Sequence, residues 1–223
     1  MNVIHINSAS IADAAGVNNV INILESMNGR PMLLVTSAMG STTHTLEAIA
    51  EAYFAGKRED ALNVFQTLFQ WHLDQIHSLS GSSYDQAISH LDEFRTEVEW
   101  LLHDRPVRPF HYYYDQIVCA GVLMSSVILS SALKQTGIKV HWTDVRDVIR
   151  TDDQFMNAQI DIPFTNHQID RLIRPALASS DVLVTQGFIG STDENESTTF
   201  GAEGLDKTAA IMADCLNTPV STL

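Results

Sequence analysis

The chain opens on a repeated pattern of short apolar runs and longer amphipathic segments. Val3–Ile6 predicts a strand, Ile11–Met27 predicts a helix with one apolar face, and Met32–Thr36 predicts a fully apolar strand. A turn at Asn28–Pro31 separates the helix from the second strand. Continuous apolar strands are typical of parallel sheets covered by helices on both faces. The pattern therefore predicts a right-handed βαβ unit.

A long helical stretch interrupts this rhythm. Ser41–Asp104 has helical periodicity throughout, and Gly81–Ser83 separates two helices that each have an apolar face. We interpret these as a helical hairpin inserted at about residues 43–104 of a single domain, 1–223. The segment Arg105–Tyr114 contains two prolines and predicts a loop.

The α/β pattern returns after the insertion. The predicted elements are a helix at Ile117–Gln135 closed by Gly137, a strand at Ile138–Trp142, a helix at Asn166–Ser179, a strand at Asp181–Thr185, a helix at Gly204–Leu216 and a last strand from Val220. The expected fold class is α/β, a three-layer sandwich with a mainly parallel sheet.

Charge and composition narrow the possible partners and the compartment. The formal net charge is -14, and only four lysines are present, which excludes a nucleic-acid-binding role. No signal peptide opens the chain and no apolar run approaches 18 residues, so we expect a cytoplasmic protein with no membrane span. Cys119 and Cys215 fit buried thiols in a reducing compartment, with a disulfide as the alternative.

Three polar loops follow predicted strands and are candidate ligand sites: Asn7–Ser10, Ser37–His44 and Gln186–Ser191. Two of them lead into helix N-termini, which suit an anion; the alternative is that Ser and Thr only cap those helices. No dinucleotide fingerprint or P-loop is present. The nine histidines are scattered, so no metal site is expected. The charged run Asp144–Asp153 is interpreted as a solvated loop with local ion pairs.

Several segments resemble the N-terminal part of aspartokinases, in the amino acid kinase family. Ser37–Thr43 is similar to S-A-M-G-K-T-T, Trp142–Asp152 to W-x-D-A-R-D-x-I-x-T-D, and Gln186–Thr192 to T-G-F-I-G-S-T. His72 falls where the family commonly has a histidine. The resemblance implies the amino acid kinase fold and ATP-dependent phosphorylation of the aspartate side chain. It assigns substrate binding to Ser37, Thr43, Phe188 and Asp206.

The phosphate-handling positions depart from the family pattern. The family opening K-F-G-G-T-S is His5–Ser10 here, so His5 replaces the lysine, and Asn7, Ser8 and Ser10 are the remnant of the phosphate loop. The second lysine is Ser41. A histidine with an ordinary pKa is mostly neutral at pH 7 and is a poor substitute for lysine.

The aspartate-holding positions depart as well. The glutamate of the central helix is Val122, the arginine of the substrate loop is Ala202, and Leu205 adds hydrocarbon beside it. We also expect the nucleotide-binding half and the regulatory domains of the family to be absent from this chain.

These departures predict an aspartokinase-like domain that is catalytically silent, with a structural, regulatory or small-molecule-binding role linked to aspartate-family amino-acid metabolism. One alternative is an aspartate kinase completed by another chain or domain, and only this alternative requires ATP and magnesium. Another is a protein that binds a different small anion at the helix N-termini after Ser10 and Ser41. Expected partners are a small amino acid or anion, and a second copy or another protein that covers an open sheet edge.

Overall fold

The computed structural model describes residues 1–27, 31–79, 81, 84–201 and 203–223. Its strands are β1 Asn2–Ile6, β2 Met32–Thr36, β3 Val140–Trp142, β4 Val182–Gln186, β5 Ile189–Ser191, β6 Ser197–Thr199 and β7 Val220–Thr222. Five strands form a parallel sheet in the order β3-β4-β2-β1-β7, and β5 and β6 form an antiparallel hairpin. In the sheet centre, Leu34 is in register with Ile4 and Val184.

Helices flank this sheet. They are α1 Ala14–Ser26, α2 Thr42–Phe54, α3 Arg58–Ser78, α4 Asp85–His103, α5 Phe110–Gln135, α6 Ile162–Gln168, α7 Arg174–Ser179 and α8 Gly204–Leu216. The central helix α5 packs on β2, β3 and β4 and contacts α1, α2, α3 and α4, while α8 packs on β1 and β2 and α7 on β4. This is the predicted α/β fold with a mainly parallel sheet.

The described part of the segment 43–104 contains three helices, α2, α3 and α4, rather than two. The chain turns between α2 and α3 at Gly56, whose φ is +82°. The predicted break at Gly81–Ser83 and the turn at Asn28–Pro31 lie largely outside the described residues. The assignment of residues 43–104 as an insertion in one domain stays a prediction.

Three helix starts differ from the predictions. The helix predicted at Asn166–Ser179 begins four residues earlier, at Ile162, because the Asp161 carboxylate caps it by accepting from the Phe164 N–H at 3.0 Å; a π-helical turn at Ile169–Ile173 joins α6 to α7.

The loop predicted at Arg105–Tyr114 is wrong from Phe110 onward, because α5 begins there, directly after Pro109. Pro109 ends the extended segment, and its missing N–H costs nothing at a helix start. Helix α1 begins at Ala14 rather than Ile11, because the Asp13 carboxylate accepts from the Gly16 N–H at 2.9 Å and caps the helix.

Helix α5 is the one described helix long and apolar enough to cross a membrane by length and composition, and 89% of its apolar window is buried inside the molecule. No uninterrupted apolar run of α5 approaches 18 residues, because serines divide the helix, although the helix is apolar on average. Serine is tolerated inside the core of this helix, because the hydroxyls of Ser125 and Ser126 donate to backbone carbonyls of the preceding turn at 2.7 and 2.8 Å.

Two further expectations concern Asp144–Asp153 and the cysteines. The Arg146 guanidinium lies 2.7 Å from Asp144 Oδ2, so the local ion pair is present, but these side chains are only 21% and 17% exposed rather than solvated. Both cysteines are free thiols, Cys119 buried and Cys215 partly exposed, so the disulfide alternative is excluded.

Candidate functional site

A cleft of about 510 Å³ opens at the carboxyl ends of β1, β2 and β4. Parallel sheets bind ligands at this edge, because loops from neighbouring strands converge there. It is lined by Asn7, Ser8, Ser37, Thr43, Glu47, Tyr114, Val122, Met156, Phe188, Thr199, Gly201 and Leu205. Five of the candidate binding residues therefore meet here: Asn7, Ser8, Ser37, Thr43 and Phe188.

Backbone strain marks two residues of the cleft wall. Phe188 has φ +77° and Met156 has φ +68°, a conformation that bulky side chains rarely adopt. The surroundings hold both in place: the Phe188 N–H donates to Thr208 Oγ1 at 3.2 Å, and the Met156 N–H donates to Asp115 Oδ2 at 2.9 Å. Strain of this kind persists where the structure over-determines it and is enriched at binding sites.

Asp115 positions the floor of the cleft. Besides the Met156 N–H, it accepts from the Thr199 N–H at 2.8 Å and the Thr199 hydroxyl at 2.7 Å. The carboxyl group is fully buried on α5, and burial raises its pKa to about 6 although these donors lower it. Asp115 thus ties α5 to two residues of the cleft wall, Met156 and Thr199.

His5 and Asp206 contact each other and do not line the cleft. His5 Nδ1 lies 3.0 Å from Asp206 Oδ1, and neither residue lines the cleft. His5 is 14% exposed at the end of β1, while Asp206 stands 72% exposed in the first turn of α8. The residue that replaces the family lysine is therefore held by a carboxylate.

The loop remnants around Ser10 and Ser41 do not cap helices. The N–H and hydroxyl of Ser10 donate to Asn7 Oδ1 at 2.9 and 3.2 Å, and Ser41 makes no side-chain cap bond with α2. At the N-terminus of α1 the Asp13 carboxylate, rather than a serine, accepts from the Gly16 N–H and places a negative charge there. The capping interpretation of these serines is wrong.

Sequence reasoning missed four cleft residues, Glu47, Tyr114, Met156 and Thr199, and the first two contact each other. The Tyr114 hydroxyl donates to Glu47 Oε1 at 2.6 Å, across α2 and α5. Burial, and then this hydrogen bond to Glu47, raises the pKa of Tyr114 well above its usual value. One signal was available for Glu47, since it follows Thr43 by one helical turn and so shares its face.

Hydrocarbon side chains lie in the cleft where the resemblance leads one to expect polar recognition of aspartate. Val122 and Leu205 both line it, and Ala202 lies outside the described residues. His72 is not in the cleft; it is fully buried on α3 and lies 3.3 Å from Thr42 Oγ1. In the part of the chain that the structure describes, no three His, Cys, Asp or Glu side chains are grouped to hold a metal ion.

Solved structures share this fold. Escherichia coli aspartokinase III in complex with aspartate and ADP superposes with a TM-score of 0.84 at 28% identity, covering 100% of this chain and 49% of that chain. The aspartate kinase of Clostridium acetobutylicum has a TM-score of 0.75 at 19% identity, a likeness of fold alone.

Sequence comparison gives the same result. The chain is 31% identical over 215 residues to lysine-sensitive aspartokinase 3 of Escherichia coli (strain K12), which is 93% of this chain and 45% of that protein. It is 26% identical over 212 residues to the chloroplastic bifunctional aspartokinase/homoserine dehydrogenase 2 of Arabidopsis thaliana, 92% of this chain and 23% of that protein. The chain thus spans less than half the length of these curated relatives. The amino acid kinase family matches residues 1–220, and the chain belongs to that family.

Proposed function

We propose that this aspartokinase-like domain is catalytically silent and binds a small molecule in the cleft, in a regulatory or structural role linked to aspartate-family metabolism. The observation that carries the proposal is a well-formed cleft whose described lining has no cationic side chain to bind phosphate. Its described lining contains no lysine or arginine, and Glu47 is its one carboxylate. The proposed place of action is the cytoplasm.

Phosphoryl transfer depends on positioned cations that stabilise spread negative charge. Loss of one preorganised donor typically costs about 10²–10³ in rate. His5 is paired with Asp206, and Val122 and Leu205 place hydrocarbon where the resemblance expects polar recognition. The described residues therefore do not fit a nucleoside triphosphate with magnesium.

The alternative is an aspartate kinase completed by another chain or domain. The convergence of Ser37, Thr43 and Phe188 in one cleft favours it, because the resemblance assigns those residues to aspartate. A second chain, however, does not change His5 or Ala202. Activity that appears only when that chain is added would support this alternative.

The first prediction concerns turnover and binding together. With ATP, magnesium and aspartate, we expect no ADP formation above background in a coupled assay, for the wild-type chain and for the triple variant His5→Lys, Val122→Glu, Ala202→Arg. A panel of small metabolites should include compounds that raise the thermal unfolding midpoint. The chain spans less than half the length of its relatives. A rise in the unfolding midpoint is therefore stronger support for the proposal than the absence of ADP formation.

Magnesium-dependent formation of an acyl phosphate by the wild-type chain alone would contradict the proposal. Restoration of activity in the triple variant would instead place the loss in those three positions.

A further inference from the structure

The carboxylate of Glu47 is positioned to accept a hydrogen bond from a ligand. Its Oε1 accepts from the Tyr114 hydroxyl at 2.6 Å, which fixes the orientation of the group. Its Oε2 lies 3.6 Å from His44 Nδ1, longer than a hydrogen bond. The Glu47 side chain is 37% exposed and lines the cleft, so the second oxygen has a lone pair for a donor.

The nearby cations are committed elsewhere or lie outside the cleft. His44, the cationic group nearest Glu47 when it is protonated, is 88% exposed and does not line the cleft. Lys207 Nζ donates to the Phe200 carbonyl at 3.1 Å, and Arg108 pairs with Glu196. The described lining is therefore negative. An anionic ligand would place like charges together in a partly dehydrated site, whereas a cation would gain a charge-assisted hydrogen bond.

The rest of the ligand must match an apolar wall. Val122, Met156, Phe188 and Leu205 line the same cleft, and Val122 is only 2% exposed. A short hydrocarbon body gains from burial against such side chains. The hydroxyls of Ser8, Ser37 and Thr43 add neutral polar contacts beside it.

We infer that the cleft binds a small molecule with a protonated amine, a short apolar body and no net negative charge. Glu47 Oε2 accepts from the ammonium group, and Tyr114 is a positioning residue that holds the carboxylate. This inference rests on the proposed small-molecule role and specifies the ligand class.

Three probes with one branched body and different head groups test it: isoamylamine, isoamyl alcohol and isovalerate. At about pH 7 these are a cation, a neutral molecule and an anion. Titration calorimetry on the full chain should give the amine an affinity about tenfold above the alcohol, with isovalerate weakest. The methyl NMR signals of Val122 and Leu205 should shift with the amine, which locates binding in the cleft.

Variants separate the head-group contact from the fold. Glu47→Gln should lower the affinity for the amine to that of the alcohol and leave the alcohol unchanged, which also reports an intact cleft. Tyr114→Phe should weaken amine binding in part. Glu51→Gln, an exposed residue of the same helix outside the cleft lining, is the matched control and should change nothing.

Equal affinities for amine and isovalerate, no shift at Val122 and Leu205, or an unchanged amine affinity in Glu47→Gln would overturn the inference. None of these results bears on turnover. Phosphoryl transfer from ATP to aspartate by the chain would overturn the proposed function whatever the order of the three probes.

Discussion

Burial determines the charge of His72, the clearest effect at the scale of a single residue. The ring is fully buried; Nδ1 lies 2.9 Å from the Leu68 carbonyl oxygen and Nε2 lies 3.3 Å from Thr42 Oγ1. A carbonyl only accepts, so Nδ1 carries the proton and Nε2 accepts from the Thr42 hydroxyl. Burial lowers the pKa of His72 to about 4, against the smaller raising effect of the Leu68 hydrogen bond.

This neutral histidine predicts a pH dependence of stability. Between pH 6.5 and about 4 the unfolded chain binds a proton that the folded protein does not, so the free energy of unfolding falls as the pH falls. The full effect is about 3 kcal/mol. The measurement is urea unfolding of wild type and His72→Asn at several pH values, where the difference between the two should shrink toward pH 4.

The comparison with His72→Asn is needed because the titration of Asp115 changes the free energy of unfolding in the opposite direction. Its pKa is raised from 3.8 to about 6, so the folded protein keeps a proton there and stability falls as the pH rises through that range. The exposed His77 on the same helix is the control, and His77→Asn should leave stability unchanged. A constant difference between wild type and His72→Asn from pH 4 to 7 would contradict the assignment.

At the scale of elements, the close approach of α8 to the turn after β4 shapes the cleft. A Cβ at Gly204 would lie 2.7 Å from Phe188 Cδ2 and 2.8 Å from Phe188 Cα, and a Cβ at Gly187 would lie 2.4 Å from Leu205 Cδ1. Only glycine permits this contact without movement. It brings Phe188 and Leu205 to the same cleft.

We therefore predict that Gly204→Ala lowers the free energy of unfolding by about 1–3 kcal/mol, because overpacking displaces α8. Helix propensity alone predicts the opposite sign, a gain of less than about 1 kcal/mol, because Gly204 is the first residue of α8 and the full preference for alanine applies to a helix interior. Urea unfolding decides between them, and Ala210→Gly at an exposed position of α8 measures the propensity effect. A stabilised Gly204→Ala variant would show that the contact is loose.

At the scale of the whole molecule, the sheet ends on two short strands. β7 and β3 are three residues long, and all of β7 is exposed. Short edge strands reduce the risk of uncontrolled pairing but still present unpaired backbone groups. An assembly with a second copy or with another protein therefore stays a prediction.

Light scattering at micromolar concentration tests that prediction. Its dependence on salt distinguishes a homodimer from a complex with another protein. Two copies that each carry a net charge of -14 repel one another, so added salt should raise the population of a homodimer. A complex with a basic partner should weaken with salt instead. A monomer at every salt concentration, with no protein retained in pull-downs, would exclude both.

Local patterns in the sequence were enough to predict the parallel sheet and the three loops at its carboxyl edge, because apolar runs and turn residues act over short distances. These loops contain Asn7, Ser8, Ser37, Thr43 and Phe188, which line one cleft in the structure, whereas the binding roles expected of them came from the family resemblance. Tertiary structure alone decided the rest. Glu47 and Tyr114 are 67 residues apart and meet only because α2 packs on α5, and His5 meets Asp206 only because α8 packs on β1. The charge of the cleft depends on such long-range contacts, which no local preference encodes.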